Sequence, residues 1–348
     1  MWNRWRDLWG GALAIDLGTS NTVMSVPGEG VVLHEPSVVA VEQGTKKILS
    51  GCAVGHLARQ MWGRTPDSIE VVRPVADGVV SDFQLCEGML RYFLRKVQRG
   101  AYSARPKALI GVPGCITPVE KQALYSSAQR AGLRQVMLLP ECTAAAIGVG
   151  LPVLEPLASM VCDIGGGTTE AAVLSLADVV ASQSIRTAGD AIDQAIVDYL
   201  RRRYSLRIGR NTAEELKLDI GSAAPLDQEL SAEVRGVDAV TGLPRKALVT
   251  SEEIRDALSE PLEAITTAIL SVIDRCSPDL ASDLVDHGMV LCGGGALLRG
   301  IDRYLTQRTG LPAHVAEEPQ VAVARGSAIC LQHLDQWKSK IDFSEDDA

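Results

Sequence analysis

Residues 15–22 read IDLGTSNT and residues 163–170 read DIGGGTTE, so the chain repeats one short pattern. In both stretches an apolar run ends in one aspartate, Asp16 or Asp163, and glycine and hydroxyl residues follow. The glycines permit a sharp turn and let backbone N–H groups approach a ligand closely. An aspartate suits such a phosphate site when a divalent cation is bound there too. The repeat therefore predicts two phosphate-binding hairpins that face one Mg-nucleotide, in a chain of two lobes with a cleft.

Hydroxyl side chains in the two hairpins add possible phosphate donors, namely Thr19, Ser20, Thr168 and Thr169. An alternative is that the two aspartates only accept hydrogen bonds from N–H groups within their own turns. A single Asp-x-Gly favours that alternative, whereas the matched pair favours the nucleotide site. A third glycine loop, residues 293–300, also follows an apolar run. The chain has no G-x-x-x-x-G-K-[ST] motif, and no G-x-G-x-x-G follows its first strand, which argues against P-loop and dinucleotide-binding folds.

Length and composition narrow the class of protein. A chain of 348 residues favours two domains, and contents of 46% apolar and 22% charged residues are typical of a globular protein. The net charge of −9 argues against nucleic acid as the main partner. The eight cysteines form no C-x-x-C pair, which favours a reducing compartment over a disulfide framework or a metal site. We see no cleavable signal peptide, and no apolar run reaches the ~18 residues that span a bilayer.

The first nine residues, MWNRWRDLW, contain three of the five tryptophans. On a helix their large apolar side chains share one face: Trp2, Trp5, Leu8 and Trp9. An aromatic, basic and amphipathic segment of this kind is typical of a membrane interface. The alternative is that the segment folds back onto the body of the protein.

Alternating strand and helix patterns predict α/β domains. The predicted strands cover residues 11–15, 21–26, 30–33, 37–41, 108–112, 136–139, 160–162, 171–176 and 289–292. The predicted helices cover residues 82–98, 143–149 and 189–203, and three more begin at the capping boxes 117–120, 212–215 and 250–253. We expect the last of these to break at Pro261 and to end near Arg275, and the charged tail after Trp337 to be loose.

These stretches resemble the actin and sugar-kinase ATPase superfamily and, within it, the rod-shape-determining MreB family of bacterial actin homologues. The resemblance runs from the first residue to about Leu334. Besides the two hairpins, it is carried by EPSVVA (35–40), AVGHLARQMWGRTP (53–66), RPVADGVVSDF (73–83), GVPGCITPVE (111–120), AAAIGVGLPV (144–153), NTAEELKLDIGSA (211–223), VTGLPRKALVTSEEI (240–254) and CGGGALLRGID (292–302).

The resemblance implies an α/β, actin-like fold of two related RNase H-like lobes, each with a smaller inserted subdomain, and a nucleotide in the central cleft. The implied divisions are a membrane-targeting segment (1–10), the core of lobe I (11–33 and 72–150) with its small subdomain (34–71), the core of lobe II (151–185 and 250–335) with its small subdomain (186–249), and a charged tail (336–348).

The resemblance also assigns site residues for ATP and Mg²⁺. Asp16 and Asp163 would orient the metal ion through water. The phosphates would contact Thr19, Ser20, Asn21, Gly165, Gly166 and Gly167. The adenosine would contact Glu214, Glu215, Leu216, Lys217, Gly293, Gly294, Gly295 and Ala296.

Two residues would act on the attacking water, Glu141 by activating it and Thr168 by helping to position it. In the family a proline usually stands where this chain has Cys142, so the resemblance predicts nucleotide binding but not the rate of hydrolysis. Glu141 could instead be a solvated carboxylate at a helix start, and Glu214 with Lys217 an ordinary exposed ion pair.

By the same resemblance, the protein is a cytoplasmic ATPase that polymerises head-to-tail into double filaments on the inner face of the cell membrane. Its partners would be itself, that membrane and membrane proteins of the cell-wall elongation machinery, with no nucleic acid. The filaments would organise wall synthesis and maintain cell shape. Three alternatives remain: a metabolic kinase, a chaperone-like ATPase, and a nucleotide-bound scaffold with little turnover.

Overall fold

The computed structural model describes residues 11–51, 53–97 and 105–343. The amphipathic segment predicted for residues 1–10 lies outside the described residues. The chain divides into two compact units. Unit 1 comprises residues up to Val153 together with those from Gln320 onward, and unit 2 comprises Leu154–Pro319.

Unit 1 is built around a mixed six-stranded sheet with the order β18-β9-β8-β1-β2-β3. Its strands, with those of two smaller sheets, are β1 (Ala12–Leu17), β2 (Asn21–Val26), β3 (Gly30–Pro36), β4 (Val39–Glu42), β5 (Ile69–Val72), β6 (Val75–Ala76), β7 (Val79–Val80), β8 (Lys107–Val112), β9 (Gln135–Pro140) and β18 (Asp342–Phe343). Its helices are α1 (His56–Met61), α2 (Phe83–Val97), α3 (Pro118–Ala131), α4 (Glu141–Gly148), α11 (Ala322–Gln332) and α12 (Leu334–Trp337).

Unit 2 repeats this plan with a five-stranded sheet of order β12-β11-β10-β16-β17 and a three-stranded sheet of order β13-β14-β15. Its strands are β10 (Ser159–Ile164), β11 (Thr169–Ser175), β12 (Asp178–Ile185), β13 (Leu206–Arg207), β14 (Ser231–Asp238), β15 (Pro244–Thr250), β16 (Met289–Cys292) and β17 (Ala313–Val315). Its helices are α5 (Gly189–Tyr204), α6 (Arg210–Ile220), α7 (Ser251–Ala257), α8 (Ser259–Asp274), α9 (Pro278–His287) and α10 (Ile301–Thr309).

The two hairpin-bearing strands are buried along almost their whole length. In β1 every residue except Asp16 is buried, and in β10 every residue except Asp163. Strands that are covered on both faces read as continuous apolar runs, which is why the aspartates stand out in the sequence. The aspartate is therefore the one half-buried position in each of these two strands, and a buried residue, Leu17 or Ile164, follows it.

Capping chemistry explains where two of the predicted helices begin. Thr117 and Thr250 each form a complete capping box with the glutamate three residues later, as the sequence predicts. The box predicted at Thr212 is wrong, because α6 begins at Arg210 after Gly209 and Thr212 lies inside it. The break predicted at Pro261 lies three residues earlier, at Leu258, between α7 and α8. A proline ring opposes the carbonyl four residues before it, so the break on its N-terminal side has a direct cause.

The prediction that residues 320–335 belong to the core of lobe II is also wrong. These residues belong to unit 1, where α11 packs against α4 and β1. The two helices cross through glycines: a Cβ on Gly148 would lie 2.0 Å from the carbonyl oxygen of Ala322, and one on Gly326 would lie 1.7 Å from that of Ala144. Only glycine permits so close an approach of two backbones.

The charged tail was expected to be loose, but its described part is held in unit 1. Trp337 and Ile341 are buried, and β18 pairs antiparallel with β9. Lys121 lies 2.7 Å from the Asp342 carboxylate, and the Tyr125 hydroxyl donates to the Asp342 carbonyl oxygen at 3.2 Å. The last residues, 344–348, lie outside the described part of the chain.

Separate small sheets lie largely within residues 34–71 and 186–249, the ranges predicted for the small subdomains, and the division into subdomains stays a prediction. In unit 1, β4 pairs with β5 over a minor core that includes Val38 and Ala58. In unit 2, β13, β14 and β15 form the second sheet. No helix in residues 11–51, 53–97 or 105–343 is long and apolar enough to cross a bilayer.

Candidate functional site

Unit 1 brings the predicted carboxylates Asp16 and Glu141 to the same edge of its sheet. Strands β1, β8 and β9 run parallel, and Asp16 lies beside Gly111 near the carboxyl end of β8. Glu141 directly follows β9 as the first residue of α4. A Cβ on Gly111 would lie 3.3 Å from Glu141 Cγ, so glycine here leaves room for that side chain. The carboxyl ends of parallel strands are the usual place for ligand binding in α/β sheets.

The backbone of the first hairpin is held by residues of β3 and its following turn. A Cβ on Gly18 would lie 2.8 Å from the carbonyl oxygen of Asn21, so the turn is tighter than other residues allow. The Ser37 hydroxyl donates to the Gly18 carbonyl oxygen at 2.7 Å, and its N–H donates to Ser20 at 2.9 Å. These two hydrogen bonds therefore hold the backbone of the loop.

Thr19 is already partly engaged within unit 1. Its side chain is only 5% exposed, and its hydroxyl oxygen accepts a hydrogen bond from the Gly78 N–H at 2.9 Å. The hydroxyl proton is still available to donate. The predicted phosphate contacts Ser20 and Asn21 are half-buried beside it.

The second hairpin presents Asp163 between two polar neighbours. Asp163 lies opposite Glu170 on β11 and beside Cys292 on β16. Glu170 is only 3% exposed. Burial and the charge of Glu170 raise the pKa of Asp163 to about 7, so this arrangement favours either a proton or a cation at the site.

The carboxylates present suit a magnesium ion that keeps most of its waters, rather than a metal ion held by protein side chains alone. No group of three or more His, Cys, Asp or Glu side chains in the described chain could hold a metal ion. Mg²⁺ normally keeps several waters and binds through one or two carboxylates and the phosphates of its nucleotide. Asp163, and separately Asp16 in unit 1, would provide oxygen ligands of this kind.

The glycine loop that follows Asp163 is bound to the start of α5. The Gly165 N–H donates to the Thr168 carbonyl oxygen at 2.9 Å, which closes the turn. The N–H groups of Gly189 and Asp190 donate to the carbonyl oxygens of Gly165 and Gly166 at 3.2 and 2.7 Å. Sequence reasoning did not foresee this contact, which fixes the predicted phosphate loop at a helix N-terminus.

The threonines of this loop differ in role. Thr168 and Gly165–Gly166 are half-buried at the surface of the loop, whereas Gly167 is buried. Thr169 was expected to add a phosphate donor, but it is fully buried and its hydroxyl donates to the Thr187 carbonyl oxygen at 2.7 Å. That expectation is therefore wrong for Thr169.

The third glycine loop lies against Asp163. Gly293 has a φ of 78°, and a Cβ there would lie 2.3 Å from Asp163 Oδ1. A Cβ on Gly295 would lie 2.3 Å from Ile164 Cγ2. The chain then forms a 3₁₀ turn over Gly294–Leu297, in which Ala296 is 1% exposed. Only backbone atoms of Ala296 could therefore contact adenosine.

Helix α6 carries the other predicted adenosine contacts, and these residues differ in their exposure. Leu216 is 4% exposed and belongs to the core of unit 2, so its predicted contact is limited to its backbone. Glu215 is exposed and Glu214 half-buried. A short parallel bridge between Ser222 and Arg299 joins the end of this helix to the third glycine loop.

Lys217 forms an ion pair that sequence reasoning missed. Its Nζ lies 2.7 Å from Asp193 Oδ1 on α5, and the two side chains are 17% and 8% exposed. The alternative of an exposed pair with Glu214 is therefore wrong for Lys217. Burial raises the pKa of Asp193 to about 6, although Lys217 pulls it down. No spacing rule links residues 24 positions apart, so the sequence carried no signal for this pair.

This architecture, with a matching aspartate hairpin in each unit, defines the actin-like class. The chain superposes on MreB5 of Spiroplasma citri bound to ADP with a TM-score of 0.88, at 34% identity, over 94% of this chain and 98% of that one. It resembles a subunit of the MamK double helical filament in fold alone, with a TM-score of 0.77 at 20% identity over 92% and 99%.

The chain belongs to the MreB/Mbl family, whose family model matches residues 10–339. It is 49% identical to the cell shape-determining protein MreB of Escherichia coli K12, over 99% of this chain and 100% of that protein. It is 42% identical to the cell shape-determining protein Mbl of Bacillus subtilis, over 93% and 96%. The family resemblance and the actin-like fold are thus confirmed.

We expect Lys217→Met to lower the free energy of unfolding at pH 8 by about 3 kcal/mol, because it leaves the Asp193 carboxylate buried without its cation. The pKa of Asp193 then rises above its present value of about 6. A raised folded-state pKa contributes stability that is present at low pH and lost as the pH rises through it. The loss in the free energy of unfolding caused by Lys217→Met should therefore be smaller at pH 5.5 than at pH 8, as measured by urea unfolding.

The control is Lys121→Met, which removes a more exposed pair with Asp342. We expect it to change the free energy of unfolding by less than about 1 kcal/mol at either pH. An equal deficit for Lys217→Met at both pH values would contradict the assignment.

Proposed function

We propose that this chain binds ATP with Mg²⁺, hydrolyses it to ADP and phosphate, and polymerises into membrane-associated filaments that organise cell-wall synthesis and maintain cell shape. The observation that carries the proposal is the pair of hairpins, each of which places an aspartate where a buried strand ends. The names of the relatives as cell shape-determining proteins support the biological role.

Nucleotide binding is supported in each unit separately. We propose that Ser20, Asn21 and the Thr19 hydroxyl proton contact phosphate oxygens from unit 1. In unit 2 the half-buried loop Gly165–Gly166 and Thr168 would do the same. Structures of MreB5 of Spiroplasma citri, one bound to ADP and one to AMPPNP, support this ligand class.

Hydrolysis requires charge neutralisation and a positioned water more than covalent chemistry. When bound, Mg²⁺ supplies that neutralisation, and Asp16 and Asp163 would hold its water ligands. Glu141 lies at the same sheet edge as Asp16, where its carboxylate can orient and activate the attacking water. We propose that Thr168 positions the same water.

We propose that filament assembly is coupled to the binding and hydrolysis of ATP. The likeness to a MamK double helical filament supports self-association through the fold, and head-to-tail contacts generate open filaments rather than closed rings. We propose a double filament whose subunit contacts respond to ATP binding and hydrolysis.

Membrane attachment is proposed from the sequence of residues 1–9, which lies outside the described residues. The segment would place its aromatic face in the inner leaflet of the cell membrane, with the body of the protein in the cytoplasm. A filament presents many copies of this segment, so a weak single contact becomes firm attachment. Membrane proteins of the elongation machinery would then bind the filament there.

We expect Glu141→Ala to leave ATP affinity within about threefold of wild type but to slow phosphate release from assembled protein by about 10²-fold, the usual contribution of a positioned base. Calorimetry measures the first quantity and a phosphate-release assay the second. Glu29→Ala, which changes an exposed carboxylate in the β2–β3 turn, is the matched control and should leave both unchanged. Normal turnover in Glu141→Ala would mean that another group activates the water.

Replacing Trp2, Trp5 and Trp9 together by serine should abolish flotation with liposomes, because the segment loses its apolar face. Filaments should still form with ATP, as seen by electron microscopy on and off lipid. The matched control replaces the same tryptophans by phenylalanine, which keeps an aromatic face and should retain most of the binding. Flotation of the serine variant at the wild-type level would refute the anchor.

A further inference from the structure

A dense group of arginines stands out on unit 2. Residues 201–210 read RRRYSLRIGR, in a chain whose net charge is −9. We call these residues the arginine segment; it connects the end of α5 to the start of α6 through β13. Its cations are all exposed: Arg201, Arg202, Arg203, Arg207 and Arg210.

None of the five arginines forms an ion pair with another residue of the described chain. Arg202 Nε donates to the backbone carbonyl oxygen of Asp198 at 3.3 Å. The nearby carboxylates have other partners: Asp238 lies 3.0 Å from Arg245, and Glu233 lies 2.8 Å from Lys246. The Tyr204 hydroxyl donates to Glu253 at 2.6 Å. Arg203 interacts electrostatically with Glu253, and the other four arginines present positive charge to the surroundings.

Helix stability explains only part of this charge. Arg201–Arg203 lie in the last turn of α5, where cations interact favourably with the helix dipole. Arg207 lies beyond that helix in β13, and Arg210 is the first residue of α6, where the dipole disfavours a cation. An external anion would account for the charges that the helix dipole leaves unexplained.

An exposed apolar turn lies beside the arginine segment. It joins β14 to β15 at residues 239–243, which we call the hairpin tip, and its Val240 and Leu243 are 84% and 65% exposed. The Ala239 N–H donates to the Ser205 carbonyl oxygen at 2.7 Å, so tip and segment are in direct contact. The Asp238 carboxylate accepts the N–H groups of Val240 and Thr241 at 3.0 and 2.8 Å, which gives the tip a defined shape.

Arginines beside exposed aliphatic side chains are typical of a lipid interface, where the guanidinium groups meet headgroup phosphates and the aliphatic groups enter the acyl boundary. A nucleic-acid surface would instead offer aromatic side chains for base stacking. The hairpin tip carries none: its residues are Ala239, Val240, Thr241, Gly242 and Leu243. The one aromatic residue of the arginine segment, Tyr204, is bound to Glu253 through its hydroxyl.

We propose that the arginine segment and the hairpin tip together form a second membrane contact, which binds anionic phospholipid. This inference rests on the proposed membrane association and adds a surface on unit 2 to the amphipathic segment. It gives the filament a stronger preference for anionic lipid than the amphipathic segment, with its two arginines, supplies alone, because electrostatic attraction adds to apolar insertion.

The test is flotation of the full chain with vesicles of phosphatidylcholine alone or with 30% phosphatidylglycerol, roughly the anionic content that gives a strong surface potential. The variant replaces Arg201, Arg202 and Arg203 by glutamine, in the wild-type chain and in the chain with serine at the three N-terminal tryptophans. We expect at least a tenfold loss of binding to the anionic vesicles, since each arginine near such a surface contributes about fivefold. Binding to neutral vesicles should not change.

Two controls distinguish an effect of these three positions from a general effect of net charge or of misfolding. Glutamine at Arg64, Arg105 and Arg134, all exposed in unit 1, removes the same charge elsewhere and should leave anionic binding within about threefold of wild type. Lysine at the three segment positions keeps the charge and should retain binding. A second variant, Val240→Ser with Leu243→Ser, should weaken flotation without altering net charge.

Several outcomes overturn the proposal. Equal binding by the segment variant and the unit 1 control would show that no special surface exists. Loss of ATP-dependent sedimentation without lipid would make the segment a contact between copies of the chain. Tighter binding to a fluorescent oligonucleotide than to anionic vesicles would assign it to nucleic acid. Absence of flotation by the wild-type chain would instead refute the proposed membrane association itself, and this inference with it.

Discussion

The structure depends on a carboxylate placed at the end of a buried strand. Asp163 lies within hydrogen-bonded β10, opposite the buried Glu170, and its pKa is raised to about 7 because protein surrounds it and a like charge faces it. A negative charge in such a place is unfavourable unless a cation compensates it. In unit 1, Asp16 lies at the matching position of β1, beside Gly111 of β8. A divalent cation at Asp163 would relieve the repulsion between this carboxylate and Glu170.

Each hairpin is held by parts of its own unit. In unit 1, α11 returns late in the sequence and crosses α4 through Gly148 and Gly326, where no Cβ could be accommodated. Glu141 begins α4, so the helix crossing also fixes the position of the proposed water-activating group. In unit 2, the start of α5 donates two N–H groups to the loop after Asp163. Both loops are thus held by contacts within their own units, and such preorganisation is what efficient charge stabilisation requires.

The sequence predicted what local chemistry determines. The hairpins follow from an aspartate and glycines after an apolar run, and the helix starts at Thr117 and Thr250 follow from capping boxes. The family resemblance predicted the actin-like fold. The same local rule failed at Thr212, where Gly209 precedes the helix and no side chain caps it.

What the sequence did not predict depends on contacts between distant segments. The return of residues 320–343 to unit 1 is decided by packing on α4 and by pairing with β9, neither of which leaves a periodic pattern. Lys217 and Asp193 lie on different helices, and the Thr169 hydroxyl finds its acceptor 18 residues away. The roles of Glu141 and Thr168 remain predictions from the resemblance, with their positions now known.

The most direct measurement is the affinity for ATP by calorimetry with excess Mg²⁺ and with the metal chelated, for the wild-type chain and for Asp163→Asn. The account predicts that chelation weakens wild-type binding at least tenfold, or about 1.4 kcal/mol. It also predicts that Asp163→Asn shows a much smaller dependence on the metal, because the amide no longer attracts a cation. Equal wild-type affinity with and without Mg²⁺ would contradict the claim that the aspartate hairpins bind a metal-nucleotide complex.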